Sequence, residues 1–356
     1  MKTLLCFVIL ACGMMTSAQD LRFPDASPEA MIMQEVGISK VTISYSSPAV
    51  NGREIWGKLV PYGMEKSNPF GHGKPMPWRA GANENTTITL THDAKIEGQT
   101  LKAGTYSIHM IPEADQWVII FNNNYTAWGS FFYEESEDAL RVTVKPQMMA
   151  DSQDRLSYGF DNTDRNKTIA YLRWEKIKVP FTISFDTPQI VLNYIRQRLK
   201  NREAWDHGSL SQAAQFALRN NSLDEALSWT DRAINSGGGT SAFFLKSIIL
   251  DKQGKKTEAE AVKKRAIDNA TEADLNTFGY QLLGQGKATE AVEVFRANAK
   301  KFPESWNVYD SLGDGLEAIG DKKGAIESFT KAQKLVKDDA NKRRIGDTLK
   351  RLQDSK

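Results

Sequence analysis

Cysteine is almost absent from this 356-residue chain, which has two, Cys6 and Cys12, both close to its first residue. A chain that loses this N-terminal stretch has no disulfide, no thiolate nucleophile and no cysteine-ligated zinc. Histidine is also scarce, with four in the chain, and none forms a short metal-ligand motif. We predict no metal site and no cofactor, and convergence of His72, His92 and His109 on a metal is the open alternative.

An excess of one charge and long apolar runs are also missing. The chain has 46 basic and 44 acidic residues, for a net charge of +2, whereas a nucleic-acid-binding protein carries a basic excess. The longest apolar run near the start, from Leu4 to Ala11, is too short to span a membrane. We therefore predict no nucleic-acid partner and no transmembrane span.

The first 18 residues have the pattern of a secretory signal peptide. Lys2 gives a basic start, the apolar run follows, and small residues precede Gln19. We predict cleavage after Ala18 and export to the periplasm or the medium, with residues 19–26 as a short linker. The alternative is a lipoprotein acylated at Cys12, although Leu10 is bulky for the second position before the cysteine.

Residues 27–185 show apolar residues with a period of two, which is typical of half-buried strands. Turns rich in Gly, Asn and Asp separate these runs, and no stretch is long enough for a crossover helix. We predict an all-β domain, an antiparallel sandwich or open barrel. The alternating runs begin at Val41, Ile88, Tyr106, Trp117, Val142, Leu156, Ile169 and Val179, and a hairpin turn is predicted at residues 96–99.

A stretch from Asn51 to Ile88 interrupts this pattern and is dense in Gly, Pro and Trp. We predict one long ordered loop, because loops of this length in compact domains are usually functional or disordered and the aromatics argue against disorder. Flat rings, guanidinium groups and an amide together suit a sugar, peptide or carboxylate ligand. The ligand-binding candidates are Arg53, Trp56, Trp78, Arg79, Asn83 and Glu84.

A structural role for the same loop is the alternative. Arg79 can pair with Glu84, and Trp56 and Trp78 can close one end of the core. Three further tryptophans are predicted to be core residues, namely Trp117, Trp128 and Trp174.

Five segments of this half, GREIWGKLVPYG, WRAGANENTTI, GTYSIHMIP, WVIIFN and WG, resemble the bacterial family called domain of unknown function 2911. The resemblance covers roughly residues 27–185. It implies an exported β-rich domain of the kind common in Bacteroidetes, often followed by helical repeats, and no established activity. The insert SNPFGHGKP departs from the usual pattern of the family.

After Phe185 the period becomes helical. Thr187 and Pro188 suit a helix start, and residues 186–206 are predicted as a linker helix. Residues 207–337 then read as four repeats, because the small and aromatic residues that follow Phe278 recur 34 residues later, from Leu312 onward. They resemble tetratricopeptide (TPR) repeats, an all-α solenoid, and residues 338–356 are predicted as a basic, solvated capping helix.

Stacked repeats of this type present a surface lined by the first helix of each pair, where a protein or peptide partner can dock. The candidates for that groove are Ser211, Gln215, Phe244, Asn276, Tyr280, Asp310 and Asp314. The sequence thus favours a noncatalytic binding or scaffold protein. The alternative is a hydrolase-type enzyme for glycan or peptide, with Glu84 as acid or base and Arg79 holding developing negative charge.

Overall fold

The computed structural model describes residues 23–71 and 73–354. The predicted signal peptide, the alternative lipid site at Cys12 and the candidate ligand His72 lie outside these described residues. The chain divides into two compact units, one ending at Ile190 and one beginning at Val191. They are called the β unit and the helical unit below.

The β unit is an antiparallel sandwich, as the alternating pattern predicts. Its sheets have the strand orders β1-β2-β3-β6-β7-β8 and β5-β4-β10-β9, and both contribute residues to one core. The described strands are β1 (Glu29–Val36), β2 (Ser39–Ser46), β3 (Ala82–Leu90), β4 (Ala94–Ile96), β5 (Gln99–Leu101), β6 (Gly104–Pro112), β7 (Trp117–Asn122), β8 (Asp138–Val144), β9 (Gln147–Asp161) and β10 (Lys167–Ser184).

Two features of the sheets differ from the prediction. Strand β1 was not predicted, and the runs from Ile169 and Val179 form the single strand β10. That strand stays continuous because bulges near Glu175, which has a φ of 52°, absorb the irregular register against β9. The predicted hairpin turn is present between β4 and β5, with positive φ at Glu97 and Gly98.

The long loop is ordered, but it ends earlier than predicted. Strand β3 begins at Ala82, so Asn83 and Glu84 are strand residues. Isolated bridges tie the loop together at Trp56–Val60 and at Glu65–Met76. A third bridge joins Trp78 to Met110 of β6 and fastens the end of the loop to the six-stranded sheet.

The helical unit consists of paired helices, as expected of a TPR-type solenoid. The hairpins α2–α3, α4–α5, α6–α7 and α8–α9 form the four repeats, and α10 packs on α9. The described helices are α1 (Thr187–Arg198), α2 (His207–Arg219), α3 (Leu223–Asn235), α4 (Gly239–Lys252), α5 (Lys256–Asn269), α6 (Glu272–Gly284), α7 (Ala288–Lys301), α8 (Trp306–Ala318), α9 (Lys322–Leu335) and α10 (Asp339–Asp354).

Glycine allows the two helices of a hairpin to approach closely. A Cβ placed on Gly279 of α6 would lie 2.2 Å from the ring of Phe295 in α7. The same contact recurs one repeat later, where a Cβ on Gly313 would lie 2.7 Å from Phe329. The small residues of the repeat signature therefore make room for the large ones.

Helix α1 begins with a different cap from the predicted one. The Asp186 carboxylate accepts a hydrogen bond from the backbone N–H of Gln189 (3.3 Å), which is the usual role of an N-cap side chain. The Thr187 hydroxyl instead donates to the carbonyl oxygen of Arg165 (2.8 Å). Over the described residues, no helix is both long and apolar enough to cross a membrane.

Candidate functional site

Four tryptophans meet where the long loop enters the β unit. Trp56 makes edge contacts with Trp117 (5.0 Å between ring centroids) and Trp78 (5.7 Å). Trp78 is stacked nearly parallel to Trp174 at 6.0 Å. Trp117 and Trp174 are fully buried, whereas the two loop tryptophans are half-buried. The loop therefore contributes to the core and keeps part of each ring accessible.

The backbone on either side of Trp78 is held firmly. Trp78 and Met110 exchange two backbone hydrogen bonds, of 2.9 and 2.8 Å. The carbonyl oxygen of Ala80 accepts hydrogen bonds from the Tyr158 hydroxyl (2.9 Å) and the Thr86 hydroxyl (3.1 Å). Ala80 itself has a φ of 51°, an unfavourable conformation for a non-glycine residue that these contacts maintain. The position of Arg79 is thus fixed from both sides.

The Arg79 guanidinium lies between a backbone oxygen and an aromatic ring. Its Nη1 donates to the carbonyl oxygen of Asn83 (2.5 Å), and its Cζ stands 4.8 Å from the centre of the Phe131 ring. Gly129 packs against the same group. Burial lowers the pKa of Arg79 from its usual value, and the negative charge of Glu84 opposes that shift.

Trp78 and Arg79 open onto a cleft of about 340 Å³, within the size range of small-molecule sites. The predicted insert contributes Asn68 to its wall, and the loop after β7 contributes Ser130 and Phe131. The wall is completed by Ser27, Pro48, Arg53, Leu59, Val60, Pro61, Gly63, Glu65, Met76, Pro77, Gly81, Ala82 and Trp174.

The structure brings together only part of the predicted ligand set. Arg53 lines the cleft, but its guanidinium donates to the carbonyl oxygens of Ala49 (2.5 Å) and Val50 (3.1 Å). Asn83 offers its carbonyl oxygen to Arg79, while its side-chain amide donates toward Asp25 (3.3 Å). Trp56 packs behind Trp78 and is not among the residues of the cleft wall.

Glu84 lies away from the cleft. It is exposed and lines a separate depression with Glu29 and Tyr45. The predicted pairing with Arg79 is also not formed at ion-pair distance within the described chain. Arg79 precedes strand β3 and meets it at the backbone carbonyl of Asn83, while the Glu84 side chain lines the separate depression. The desolvation beside Trp78 that an acid–base role for Glu84 requires is therefore missing.

The sequence-based prediction missed Ser130, which connects the cleft to a buried histidine. The Ser130 hydroxyl is 2.8 Å from Nδ1 of His109, and the Ser107 hydroxyl is 3.0 Å from Nε2. Burial lowers the pKa of His109 to about 4, with Asp138 opposing and Arg79 reinforcing the shift. An imidazole with so low a pKa is a weak base at neutral pH, so we assign the pair of Ser130 and His109 a structural role.

Trp128 contradicts its prediction as a core residue, because it is 56% exposed. The neighbouring Gly129 and Ser130 are buried instead. The segment WG thus places its glycine, rather than its tryptophan, in the interior against Arg79. That glycine was the available sequence signal for this part of the site.

In the helical unit, candidate groove residues of the last repeats form polar pairs across neighbouring helices. The Tyr280 hydroxyl donates to the Asp314 carboxylate (2.6 Å), 34 positions along the chain. Burial raises the pKa of Asp314, and the Tyr280 hydrogen bond opposes that shift. Asp310 is buried and accepts from Arg344 (2.5 Å), again 34 positions away.

The capping helix α10 pairs with α8 at the same spacing of 34 residues, so it is more than a solvated helix. Arg351 of α10 pairs bidentately with Glu317 of α8 (2.7 and 2.9 Å), also over 34 positions. Together with the Arg344–Asp310 pair, this gives α10 the contacts that the first helix of a following repeat would make. Two of its basic residues are therefore structural.

The remaining groove candidates differ in their surroundings. Phe244 is buried and stacks on Phe278 at 4.3 Å, so it belongs to the core between repeats. Asn276 is half-buried, and its Oδ1 has no hydrogen-bond partner within the described chain. Ser211 and Gln215 lie on α2, where Gln215 lines a cleft and Ser211 is half-buried.

Two clefts flank the junction of the second and third repeats and share Ile248, Phe278 and Leu282. One, of about 320 Å³, is further lined by Phe244, Ser247, Asp251, Ala259, Glu260, Lys263, Glu290, Glu293 and Val294. The other, of about 420 Å³, is further lined by Gln215, Leu218, Arg219, Ser241, Leu245, Gln281, Gln285 and Lys287. Helices α5 and α6 make little contact here, unlike α3 with α4 or α7 with α8.

The described part of the chain brings no three His, Cys, Asp or Glu residues into a possible metal-binding group. His109 is enclosed by its two serines, and His92 is 3.1 Å from the Ser39 hydroxyl. The predicted alternative of a histidine-based metal site is therefore not formed by these two residues.

Comparison with known proteins identifies the β unit and gives distant matches for the helical unit. Residues 27–183 match the family model described as a protein of unknown function, DUF2911, which confirms the resemblance drawn from the sequence. YrrB, described as a TPR protein with an unusual peptide-binding site, is 17% identical, and the match covers 45% of this chain and 84% of that chain with a TM-score of 0.24.

Other TPR structures match over a similar share of the chain. MamA from Desulfovibrio magneticus RS-1 is 19% identical over 43% of this chain and 84% of that chain, with a TM-score of 0.24. The C-terminal part of a TPR repeat-containing protein from Cytophaga hutchinsonii is 16% identical over 42% of this chain and 59% of that chain, with a TM-score of 0.24. No curated protein matches the chain.

Proposed function

We propose that the protein is an exported, noncatalytic binding protein that docks a peptide segment at the junction of its second and third helical repeats. The observation that carries the proposal is the pair of clefts that share Ile248, Phe278 and Leu282. Ile248 is half-buried, whereas Phe278 and Leu282 are almost fully buried and line both clefts. Apolar side chains at the floor of a cleft between helices are a usual feature of peptide recognition sites.

The charges around the cleft of about 320 Å³ support one class of peptide partner. Asp251, Glu260 and Glu290 are exposed acids at its rim. Lys263 is the basic residue in that wall, and it is already paired with Glu293 (2.7 Å). Complementary charge favours association and selects against like-charged partners. Arg219 and Lys287 lie in the wall of the other cleft, so the segment that fits is a peptide with apolar side chains whose flanking lysine or arginine lies at this acidic rim.

Binding of synthetic peptides to the full-length protein tests this proposal. A labelled peptide with leucines flanked by lysines should bind, and two matched peptides, with glutamate replacing lysine or serine replacing leucine, should not. Fluorescence polarisation at low and high salt measures this, and binding of the lysine peptide should weaken as salt rises.

Charge reversal provides the matched variants. The double variant Glu260→Lys with Glu290→Lys should lose the lysine peptide and gain the glutamate peptide. Glu258→Lys with Glu304→Lys makes the same charge change outside the cleft and should leave binding as in the wild type. Equal binding of the lysine peptide by both double variants would contradict the proposal.

The proposal that the protein is exported rests on the signal-peptide pattern of its first 18 residues. Mass spectrometry of the protein recovered from its native host gives the N-terminus directly. A chain beginning at Gln19 supports a released protein, whereas a lipidated Cys12 supports the anchored alternative. An unprocessed Met1 in the recovered protein would reject both.

A further inference from the structure

Arg79 carries a charge that no carboxylate of the described residues meets at ion-pair distance. Among the other described arginines of the β unit, two find such partners, while Arg53 and Arg155 donate to backbone carbonyl oxygens. Arg141 pairs with Asp138 (2.5 Å) and Arg173 with Asp151 (2.6 Å). Arg79 has instead one backbone hydrogen bond to Asn83 and the face of Phe131.

This arrangement of Arg79 is costly for the fold. Removing a guanidinium partly from water with no carboxylate at ion-pair distance destabilises the fold, and the penalty is relieved when an anion binds. The Arg79 guanidinium is also held in place, because Gly129 packs on it and hydrogen bonds fix the backbone at Trp78 and Ala80. A fixed guanidinium with free donors suits a planar carboxylate, since the two can form parallel hydrogen bonds.

We propose that the cleft of the β unit binds a small monocarboxylic acid, with its carboxylate on Arg79 and its apolar body against Trp78. This site is independent of the peptide-docking surface of the helical unit.

The other charges of the cleft favour a singly charged ligand. Arg53 already donates to two carbonyl oxygens, and Glu65 places a negative charge in the same wall. The Glu65 carboxylate accepts hydrogen bonds from the backbone N–H (2.6 Å) and hydroxyl (2.7 Å) of Ser67, and these contacts lower its pKa. The second negative charge of a phosphate dianion would be repelled by Glu65, whereas the single charge of a carboxylate is neutralised by Arg79.

The apolar part of the wall favours a flat or aliphatic body. Trp78 and Phe131 contribute ring surface to the wall that Arg79 also lines, and Leu59 and Met76 extend the apolar lining. Aromatic rings bind such bodies by burying apolar area and by offset or edge contact. A free acid and the C-terminus of an apolar peptide share this chemistry.

Calorimetric titration of the full-length protein with phenylpropionate and with phenylpropionamide tests the carboxylate directly, because the two have nearly the same shape and differ in the charge and hydrogen-bonding atoms of one end group. The acid should bind roughly tenfold or more tightly than the amide, and it should perturb tryptophan fluorescence through Trp78. N-acetylated Ala-Phe with a free or an amidated C-terminus forms a second pair. It shows whether a peptide end is accepted as well as a free acid.

Variants assign the effect to Arg79. Arg79→Gln should reduce binding of the acid to the level of the amide, and Arg79→Lys should retain part of the difference. Arg165→Gln removes an exposed arginine elsewhere in the β unit and should behave as the wild type. If Arg79→Gln does not fold, the acid–amide comparison on the wild type still decides. Equal affinity for acid and amide, no binding of either acid at millimolar concentration, or an acid preference that persists in folded Arg79→Gln would overturn the proposal.

Discussion

Gly129 lies so close to Arg79 that a Cβ at this position would stand 2.2 Å from the guanidinium carbon. Its φ of +59° is also in the left-handed region, where glycine has no steric penalty. The orientation of a charged side chain in the cleft therefore depends on a residue without a side chain, some 50 positions further along the chain.

Gly129→Ala should lower the free energy of unfolding by roughly 2–4 kcal/mol, the sum of backbone strain and displacement of Arg79. Gly98→Ala is the matched control, since Gly98 has a φ of +82° and nothing within 4 Å of an added Cβ. It should show the strain alone, about 1–2 kcal/mol. Urea unfolding measures both, and equal losses would show that the contact with Arg79 is unimportant.

Trp78→Ala should lower the free energy of unfolding by about 3 kcal/mol, the low end of the usual loss for a truncated aromatic, because Trp78 is only half-buried. Trp128→Ala should change it by less than about 0.5 kcal/mol, as expected of an exposed residue. Thermal melts of the two variants make the comparison. A Trp78→Ala protein that melts with the wild type would leave this ring with a ligand-binding role alone.

His109 should make the β unit sensitive to mild acid. Its pKa is about 4 in the fold against 6.5 in the unfolded chain, so the unfolded chain takes up the proton first as the pH falls. Stability is therefore full above pH 6.5 and declines by about 3 kcal/mol toward pH 4. His109→Gln has no group that titrates in this range and should lack this decline. Urea unfolding across that pH range decides, and parallel curves for the two proteins would contradict the assignment.

Gly279→Ala and Gly284→Ala should have opposite effects although they lie in the same helix. The first places a Cβ 2.2 Å from Phe295 and should cost roughly 1–3 kcal/mol, whereas the second meets nothing within 4 Å. Replacing an unhindered helical glycine by alanine stabilises by up to about 1 kcal/mol. Calorimetric melting of the two variants tests this, and a stabilised Gly279→Ala would show that α6 and α7 can move apart freely.

Asp314→Asn should stabilise the helical unit at neutral pH. The fold raises the pKa of Asp314, chiefly by burial, so the neutral form is favoured and the wild type loses stability as the pH rises above about 4. Asparagine stays uncharged and can still accept from Tyr280. The advantage of the variant should shrink as the pH is lowered through that value. A variant that is weaker than the wild type at pH 7 would mean that the Tyr280 bond needs the full charge.

Period-two alternation was sufficient to predict the sandwich, and β1 shows where it fails. This edge strand places Met31 and Met33 outward, 70% and 54% exposed, while Ala30 and Ile32 face the core. Apolar residues on both faces leave no alternation to detect. The 34-residue repeat was easier to recognise, because close helix approach requires small residues at fixed positions.

Only the site residues that are close together in the sequence could be predicted. Trp78 and Arg79 stand out because Trp and Arg are adjacent in a glycine-rich stretch, and the structure places both at the cleft. Ser130 and Phe131 reach the same cleft from a distant loop, a tertiary contact that no local pattern encodes. Glu84 was grouped with Arg79 because the two are near in sequence. In the structure Glu84 lies within strand β3, which begins at Ala82, whereas Arg79 precedes that strand.

Three polar pairs at the C-terminal end of the helical unit join residues 34 positions apart, Tyr280 with Asp314, Asp310 with Arg344 and Glu317 with Arg351. Insertion or deletion of one whole 34-residue repeat would keep the spacing of each of these pairs. Any other change of length between two partners would leave an acid facing the wrong side chain. At this end of the array, a change of length by whole repeats is the one that keeps these three contacts, so they favour variation in steps of one repeat.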